Sequence, residues 1–193
     1  ECLFLRSAEA GFVEVGCHYS DYHWSLFLNL NDEYARLLEL LQSLCVERIH
    51  LHHVMNIADD VLGLVADLAV PFDITLHDYY FVSANPTLTD RHGVFAENPV
   101  TRDVLCAESY PLPNSMSVVE WREKFSEILS GADRIFSPSQ RCRDVYLEYF
   151  PHLTIDVAYH PEWEQSYPYA HPFAPNISAQ EQLRVLVIGA MGR

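Results

Sequence analysis

The spacing of apolar residues changes along the chain, and each change predicts a new element. Residues 2–5 and 12–15 are short apolar runs on either side of a turn at 10–11, which predicts a pair of strands. From Asn31 the apolar side chains recur every three or four positions, which places them on one face of a helix that Asn31 or Asp32 can cap. The residues of that face are Tyr34, Leu37, Leu38, Leu41 and Cys45.

Between residues 47 and 158, short apolar runs alternate with helical patterns. The predicted strands are residues 49–51, 72–76, 134–136 and 153–158. Two of the helices begin with clear signals, because Ser117 and Glu120 form a capping box and Ser139 can cap the next helix. Alternation of strand and helix is typical of parallel sheets with right-handed crossovers. The sequence therefore predicts an α/β fold with a Rossmann-like parallel sheet flanked by helices.

Three stretches suggest how the chain divides into domains. Residues 81–116 hold prolines at irregular positions, which predicts a long loop that is either functional or without fixed structure. Residues 161–182 are rich in proline and polar residues, as interdomain linkers are. Residues 183–189 form an apolar strand that runs into glycine, a pattern that typically opens a new βαβ unit. We therefore expect a first domain over 1–160 and the start of a second over 183–193.

Composition narrows the possible functions. The chain has 12 Lys and Arg against 27 Asp and Glu, a formal charge of −15. It has no basic stripe of the kind with which nucleic-acid binders neutralise phosphates. The same acidity disfavours docking of this segment on anionic lipid, so membrane contact would come only from other portions of the protein. No apolar run approaches the span of about 20 residues that a membrane helix needs, and no signal peptide precedes the first strand. We expect a cytoplasmic protein.

The cysteine pattern also favours a cytoplasmic protein. Their number is odd, their spacing is wide and no CxxC pair occurs, which favours reduced, mostly buried thiols over a disulfide framework. The five residues are Cys2, Cys17, Cys45, Cys106 and Cys142. Cys106 lies in the irregular stretch without a matched base and is a weak candidate for a nucleophile.

Polar residues follow four of the predicted strands. In open α/β sheets, ligands bind beyond the carboxyl ends of the strands, so these positions are the candidates for a site. They are His50, His52 and His53, then His77, Asp78 and Tyr79, then Ser137 and Ser139, and finally His160.

Three interpretations of the histidines remain open. As zinc ligands they would act with Asp78, although alternation along a strand turns His50 and His52 to one face and His53 to the other. As structural residues they would be half-buried and bonded to backbone, which we favour for His50 and His52. As a ligand-binding group, the imidazole of His77 would donate to a phosphate or sugar oxygen, which we favour for that residue. Ser139 can cap a helix and also face an anion there.

Four segments together resemble one enzyme family. They are IHLHH at 49–53, TLHDYYF at 75–81, RIFSPS at 134–139 and RVLVIG at 184–189. Their order and spacing are similar to those of the family 4 retaining glycosyltransferases, which have the GT-B fold. The resemblance covers residues 47–193, and the HDYYF run is its most specific part.

The resemblance implies two Rossmann-like domains that face each other across a cleft. The first, acceptor-side domain would hold a glycan or lipid-linked acceptor, and the second would hold most of the nucleotide-sugar donor. Transfer would retain the anomeric configuration and need no metal and no cofactor beyond this co-substrate, as in polysaccharide biosynthesis. By position, His77 corresponds to the catalytic cleft histidine, and Gly189 and Arg193 would contact the donor diphosphate. We expect further substrate contacts from the strand-end residues His53, Asp78, Tyr79, Ser137 and Ser139.

The chain also departs from the family pattern. Phe81 is followed by VSANP, where related sequences of this type often have Cys-Pro, so no metal or disulfide is expected in the loop. The glycine-rich loop that follows the first strand in the family is not visible in this sequence, and the acidic pair of the donor domain would lie beyond Arg193. We therefore expect a fragment that is inactive by itself. A metal-dependent hydrolase and a noncatalytic glycan- or protein-binding domain remain as alternatives.

Overall fold

A computed structural model describes residues 2–8, 11–19, 22–55, 59–110, 112–158 and 185–188 of the chain. Within these ranges the strands are β1 (Cys2–Ser7), β2 (Phe12–Tyr19), β3 (Tyr22–Asn29), β4 (Arg48–Leu51), β5 (Phe72–Thr75), β6 (Arg134–Ser137), β7 (Asp156–Val157) and β8 (Val185–Ile188). The helices are α1 (Leu30–Ser43), α2 (Asp59–Leu68), α3 (Pro99–Ser109), α4 (Val118–Gly131) and α5 (Gln140–Tyr149), with a 3-10 turn at Pro113–Ser115.

The described strands form one sheet in the order β3-β2-β1-β8-β4-β5-β6-β7. β1, β2 and β3 pair antiparallel, whereas β8 is parallel to both β1 and β4, and β6 is parallel to β7. The fold is thus mixed α/β, with a mostly parallel sheet flanked by helices. The chain divides into two units, the first Glu1–Asp73 with His160–Arg193 and the second Ile74–Tyr159.

The first unit begins with the predicted strand pair, which the antiparallel register of β1 and β2 confirms. Gly16 of β2 has no room for a side chain, because a Cβ there would lie 2.4 Å from the Trp24 carbonyl oxygen and 2.7 Å from the Phe4 ring. β3 is absent from the sequence prediction. Leu26, Phe27 and Leu28 are consecutive apolar residues, so they lack the alternation by which a strand is recognised.

The start of α1 corrects one prediction. The cap is Asn29, not Asn31 or Asp32: its side-chain oxygen accepts the Asn31 N–H at 3.0 Å, and the Glu33 carboxylate accepts the Asn29 N–H at 3.0 Å. Asn29 is the last residue of β3 and is therefore already in the extended conformation that a cap requires. Leu37 and Leu41 are buried as predicted, but Cys45 lies beyond the helix, at a positive φ of 51°.

β8 occupies the position between β1 and β4, where Leu186, Val187 and Ile188 are buried. The sequence pattern predicts these residues as the opening of a separate βαβ unit. A fully apolar strand needs neighbours on both edges and cover on both faces, and the middle of a parallel sheet provides them. Residues 161–182, predicted as a linker, lie outside the described residues.

In the second unit, the stretch 81–116 is not a loop throughout, because it contains α3. Asn98 caps this helix by accepting the N–H groups of Val100 and Thr101 at 3.0 and 3.1 Å. Pro99 is the first residue of the helix, where its missing N–H costs no hydrogen bond. The prediction of an irregular segment was wrong because this proline was read as a breaker.

α4 matches its prediction. The capping box of Ser117 and Glu120 is present in both directions, and Trp121, Phe125 and Leu129 are buried.

β7 is shorter than predicted, since only two residues of 153–158 are paired as a strand. All five cysteines are free thiols in the structure, and three of them are buried. Among the described residues, no helix combines the length and the apolar character needed to cross a bilayer.

Candidate functional site

The carboxyl ends of β5, β6 and β7 lie side by side in the second unit. The Leu76 N–H donates to the Phe136 carbonyl at 2.8 Å, and the Ala158 N–H donates to the Ser137 carbonyl at 2.9 Å. These bonds bring the residues that follow β5 next to those that follow β6. The structure thereby places four of the predicted site residues around the start of α5. They are Asp78, Tyr79, Ser137 and Ser139.

The turn after β5 is fixed by Asp78. Its side-chain Oδ1 accepts the Tyr80 N–H at 2.8 Å, and its carbonyl accepts a hydrogen bond from the Tyr146 hydroxyl at 2.7 Å. Tyr146 is completely buried, and burial raises the pKa of its phenol well above the ordinary value. Asp78 therefore caps the turn and His77 beside it is exposed. An exposed histidine on a fixed turn is suited to contact a ligand.

Tyr79 lies half-buried among aromatic rings. Its ring centroid is 6.0 Å from that of Tyr146 and 6.3 Å from that of Phe95. Burial raises the pKa of the Tyr79 phenol and the nearby Cys142 adds to the effect, while the guanidinium groups of Arg141 and Arg102 oppose it. The phenol is therefore neutral at pH 7, and it can donate a hydrogen bond to a sugar or phosphate oxygen.

The two serines shape the connection between β6 and α5. Ser137 is fully buried, and its hydroxyl donates to the Ser139 carbonyl at 2.9 Å. The Ser139 hydroxyl accepts the Cys142 N–H at 3.1 Å and so caps α5, as the sequence predicts. Ser139 is only half-buried, so its place at the helix start is also compatible with a ligand contact.

Neither buried thiol near the site is set up as a nucleophile. Burial raises the pKa of Cys106 to about 11, and the charge of Asp103 adds to this. Burial also raises the pKa of Cys142, against a hydrogen bond with Ser137 that lowers it. With a pKa of about 11, the Cys106 thiol is ionised at pH 7 in only about one molecule in ten thousand.

A cluster of arginines and aromatic rings in the second unit was not predicted from the sequence. Its centre is Arg102, which is 1% exposed. The guanidinium donates to the carbonyl oxygens of Ala96 and Glu97 at 2.8 and 2.9 Å, and to Glu148 and Tyr149 at 2.8 and 3.0 Å. Burial lowers the pKa of Arg102, but the hydrogen bonds and the electrostatic interactions with Glu148 and Tyr149 together outweigh burial and keep this pKa above the ordinary value.

Two further arginines complete this cluster. Arg122 donates to the Val82 carbonyl at 3.0 Å and to both carboxylate oxygens of Asp103, and its guanidinium lies 4.0 Å from the Tyr149 ring centroid. Arg141 donates to Glu97 at 2.5 Å. The Phe95 ring centroid is 4.4 Å from the Arg102 guanidinium and 5.6 Å from that of Arg141. No local signal in the sequence marks these residues, because Arg102, Arg122 and Arg141 lie far apart along the chain.

His50, His52 and His53 belong to the first unit. The His50 and His52 rings are 4.4 Å apart and tilted by 31°, which agrees with the predicted common face, and both residues are half-buried, as is His53. Gly189, Arg193 and His160 lie outside the described residues. Within the part of the chain that the structure describes, no group of three or more His, Cys, Asp or Glu residues could hold a metal ion.

The support that Tyr146 gives to the turn can be measured. Tyr146→Phe is expected to lower the free energy of unfolding by about 1–2 kcal/mol, because the Asp78 carbonyl loses its buried donor. Urea unfolding of the two proteins checks the difference. Tyr110→Phe is the matched control, since Tyr110 is 50% exposed and should change little. Equal effects of the two substitutions would contradict the assigned role of the Tyr146 hydroxyl.

Comparison with known proteins finds no matching family model, no matching curated protein and no matching solved structure. The class that the structure defines is a mixed α/β protein with a polar turn and an arginine–aromatic cluster in its second unit. Membership of the glycosyltransferase family remains a prediction that rests on the four sequence segments.

Proposed function

We propose that the chain is the acceptor-side part of a retaining glycosyltransferase with a Rossmann-like fold of the GT-B type. The observation that carries the proposal is the meeting of the HDY and SPS segments at neighbouring strand ends of one unit. In open α/β sheets this is the edge at which ligands bind. Both segments are also among the four that resemble the family.

The chemistry of this edge suits a phosphorylated sugar. His77 and the neutral phenol of Tyr79 can donate hydrogen bonds to hydroxyl and phosphate oxygens. Arg141 adds a guanidinium near the Tyr79 phenol, and a guanidinium can bind phosphate oxygens through paired hydrogen bonds. His77 would contact the transferred sugar or its phosphate, while Gly189 and Arg193 would contact the donor diphosphate.

The proposed reaction is a displacement on the front face of the donor sugar. The acceptor hydroxyl oxygen forms a bond to the anomeric carbon on the face from which the nucleoside diphosphate departs. The bond between that carbon and the diphosphate oxygen breaks, and the hydroxyl proton passes to the departing phosphate oxygen. The configuration is retained because the new bond forms on the same face as the one that is lost. In this chemistry the nucleotide-sugar is a co-substrate.

A donor screen tests the proposal. The full-length protein is mixed with a panel of nucleotide-sugars, with and without EDTA, and binding and slow donor hydrolysis are followed by mass spectrometry. We expect one donor to bind and to be hydrolysed slowly, with no effect of EDTA. Bound metal without donor binding would support a metal-dependent hydrolase instead. If the protein binds neither a donor nor a metal, a noncatalytic binding domain is the remaining interpretation.

A further inference from the structure

We propose that Arg141, together with Phe95 and Tyr79, binds an anionic group of the acceptor, which is a phosphoryl or a carboxylate group. Without this ligand the Glu97 carboxylate pairs with the Arg141 guanidinium, and the ligand anion replaces that carboxylate. That the ligand is the acceptor rests on the proposed function. The anion-binding site itself rests on the geometry of the second unit.

The position of Arg141 in α5 is not explained by helix stability. It is the second residue of the helix, and no acidic residue lies in that first turn. The amino end of a helix carries a partial positive charge, so a cation there is unfavourable and an anion is favourable. The helix start and the guanidinium together form a positive region next to Ser139 and Tyr79.

Arg141 is also the accessible cation of the cluster. Its side chain is 53% exposed and that of Glu97 is 81% exposed, whereas the Arg102 side chain is fully buried. An exposed ion pair contributes little to stability. A ligand anion can therefore replace the Glu97 carboxylate at little cost, which is not true of the Arg102–Glu148 pair.

The buried Arg102 holds the residues around the Arg141–Glu97 pair in place. Arg102 fixes the backbone by binding the carbonyl oxygens of Ala96 and Glu97. The Phe95 ring lies close to both the Arg102 and the Arg141 guanidinium groups. A planar guanidinium held against a ring presents a fork of donors that matches phosphate or carboxylate. Tyr79 lies beside Phe95 and supplies a further hydroxyl donor.

The two members of the ion pair are expected to respond in opposite directions when each is neutralised. Arg141→Gln should weaken binding of an anionic sugar by about tenfold or more, since it removes a charged hydrogen-bond donor. Glu97→Gln should strengthen the same binding several-fold, because the competing carboxylate is gone. The probes are glucose 6-phosphate, glucuronate and glucose, and affinity is measured by titration calorimetry of the full-length protein at low salt. Glucose should bind equally to all variants, and the two anionic sugars separate phosphate from carboxylate.

A second ion pair, which lies outside the cluster, provides the control. Arg36 and Glu33 are 2.8 Å apart on α1, and Arg36→Gln and Glu33→Gln should leave anion binding unchanged. Weaker binding in both Arg141→Gln and Glu97→Gln, or no change in either, would refute the site. If the donor screen succeeds and this test fails, the transferase proposal survives alone. If the donor screen fails and this test succeeds, the anion site survives and its ligand is not a transferase acceptor.

Discussion

Arg102→Met is expected to lower the free energy of unfolding by about 3 kcal/mol, near the lower end of what is lost when one partner of a buried ion pair is removed. Methionine fills much of the space but donates to none of the four acceptors that Arg102 binds. The carbonyl oxygens of Ala96 and Glu97 lose the charged donor that binds both of them, and hydrogen bonds to charged groups are stronger than neutral ones. The loss stays near the lower end because the Glu148 side chain is 31% exposed and can be hydrated.

Urea unfolding measures this loss, and hydrogen exchange of the α3 amides shows where it acts. Arg36→Met is the control, because Arg36 is 75% exposed in its pair with Glu33 and the same substitution should change stability by less than about 0.5 kcal/mol. Amides of α3 should exchange faster in Arg102→Met than in the parent protein. A stability equal to that of the control variant would show that the buried guanidinium does not hold the segment before α3.

His77→Ala is expected to reduce turnover of the full-length transferase by a factor of about 10² to 10⁴, the range that one positioned acid–base or hydrogen-bonding histidine supplies. The residue is exposed at the carboxyl end of β5, on the turn that Asp78 and Tyr146 fix. Removal of an exposed imidazole should leave the fold intact. Turnover is measured with the donor that the screen identifies, and circular dichroism confirms that the variant is folded.

His152→Ala is the matched control for this prediction. His152 is also exposed, but it follows the other end of α5 and its Nε2 lies 3.1 Å from the Ser130 hydroxyl. Its removal should leave turnover unchanged. Unchanged turnover in His77→Ala as well would remove His77 from the mechanism, whatever the donor screen shows.

Local signals in the sequence were sufficient for some elements and not for others. α4 was predicted correctly because its capping box and its apolar spacing agree. The start of α1 was placed two or three residues late because the extended backbone of Asn29 depends on β3, which the sequence pattern does not reveal. α3 was missed although Asn98 and Pro99 together are a helix-start signal.

Some residues of the candidate site could likewise be predicted from the local sequence, and others could not. Strand ends can be located from apolar runs, so Asp78, Tyr79 and Ser139 could be selected before their surroundings were known. The arginine cluster could not, because Arg102 meets partners that lie 46 and 47 positions away in the chain. Nothing in the local sequence distinguishes this buried arginine from the exposed Arg141. Only the packing of α3 against α5 decides which guanidinium is enclosed.

β3 has a consequence for the colloidal behaviour of the protein. It is the terminal strand of the described sheet, its sequence YHWSLFLN contains no charged residue and no proline, and Leu26 and Phe27 are 47% and 60% exposed. Edge strands are usually protected from other copies by lysine, proline or a bulge. Repulsion between copies of the chain, which each carry a formal charge of −15, acts against such edge-to-edge aggregation. Such repulsion acts only over the screening length of the solution, about 10 Å at 0.1 M salt. A higher ionic strength is therefore expected to make the protein aggregate more readily.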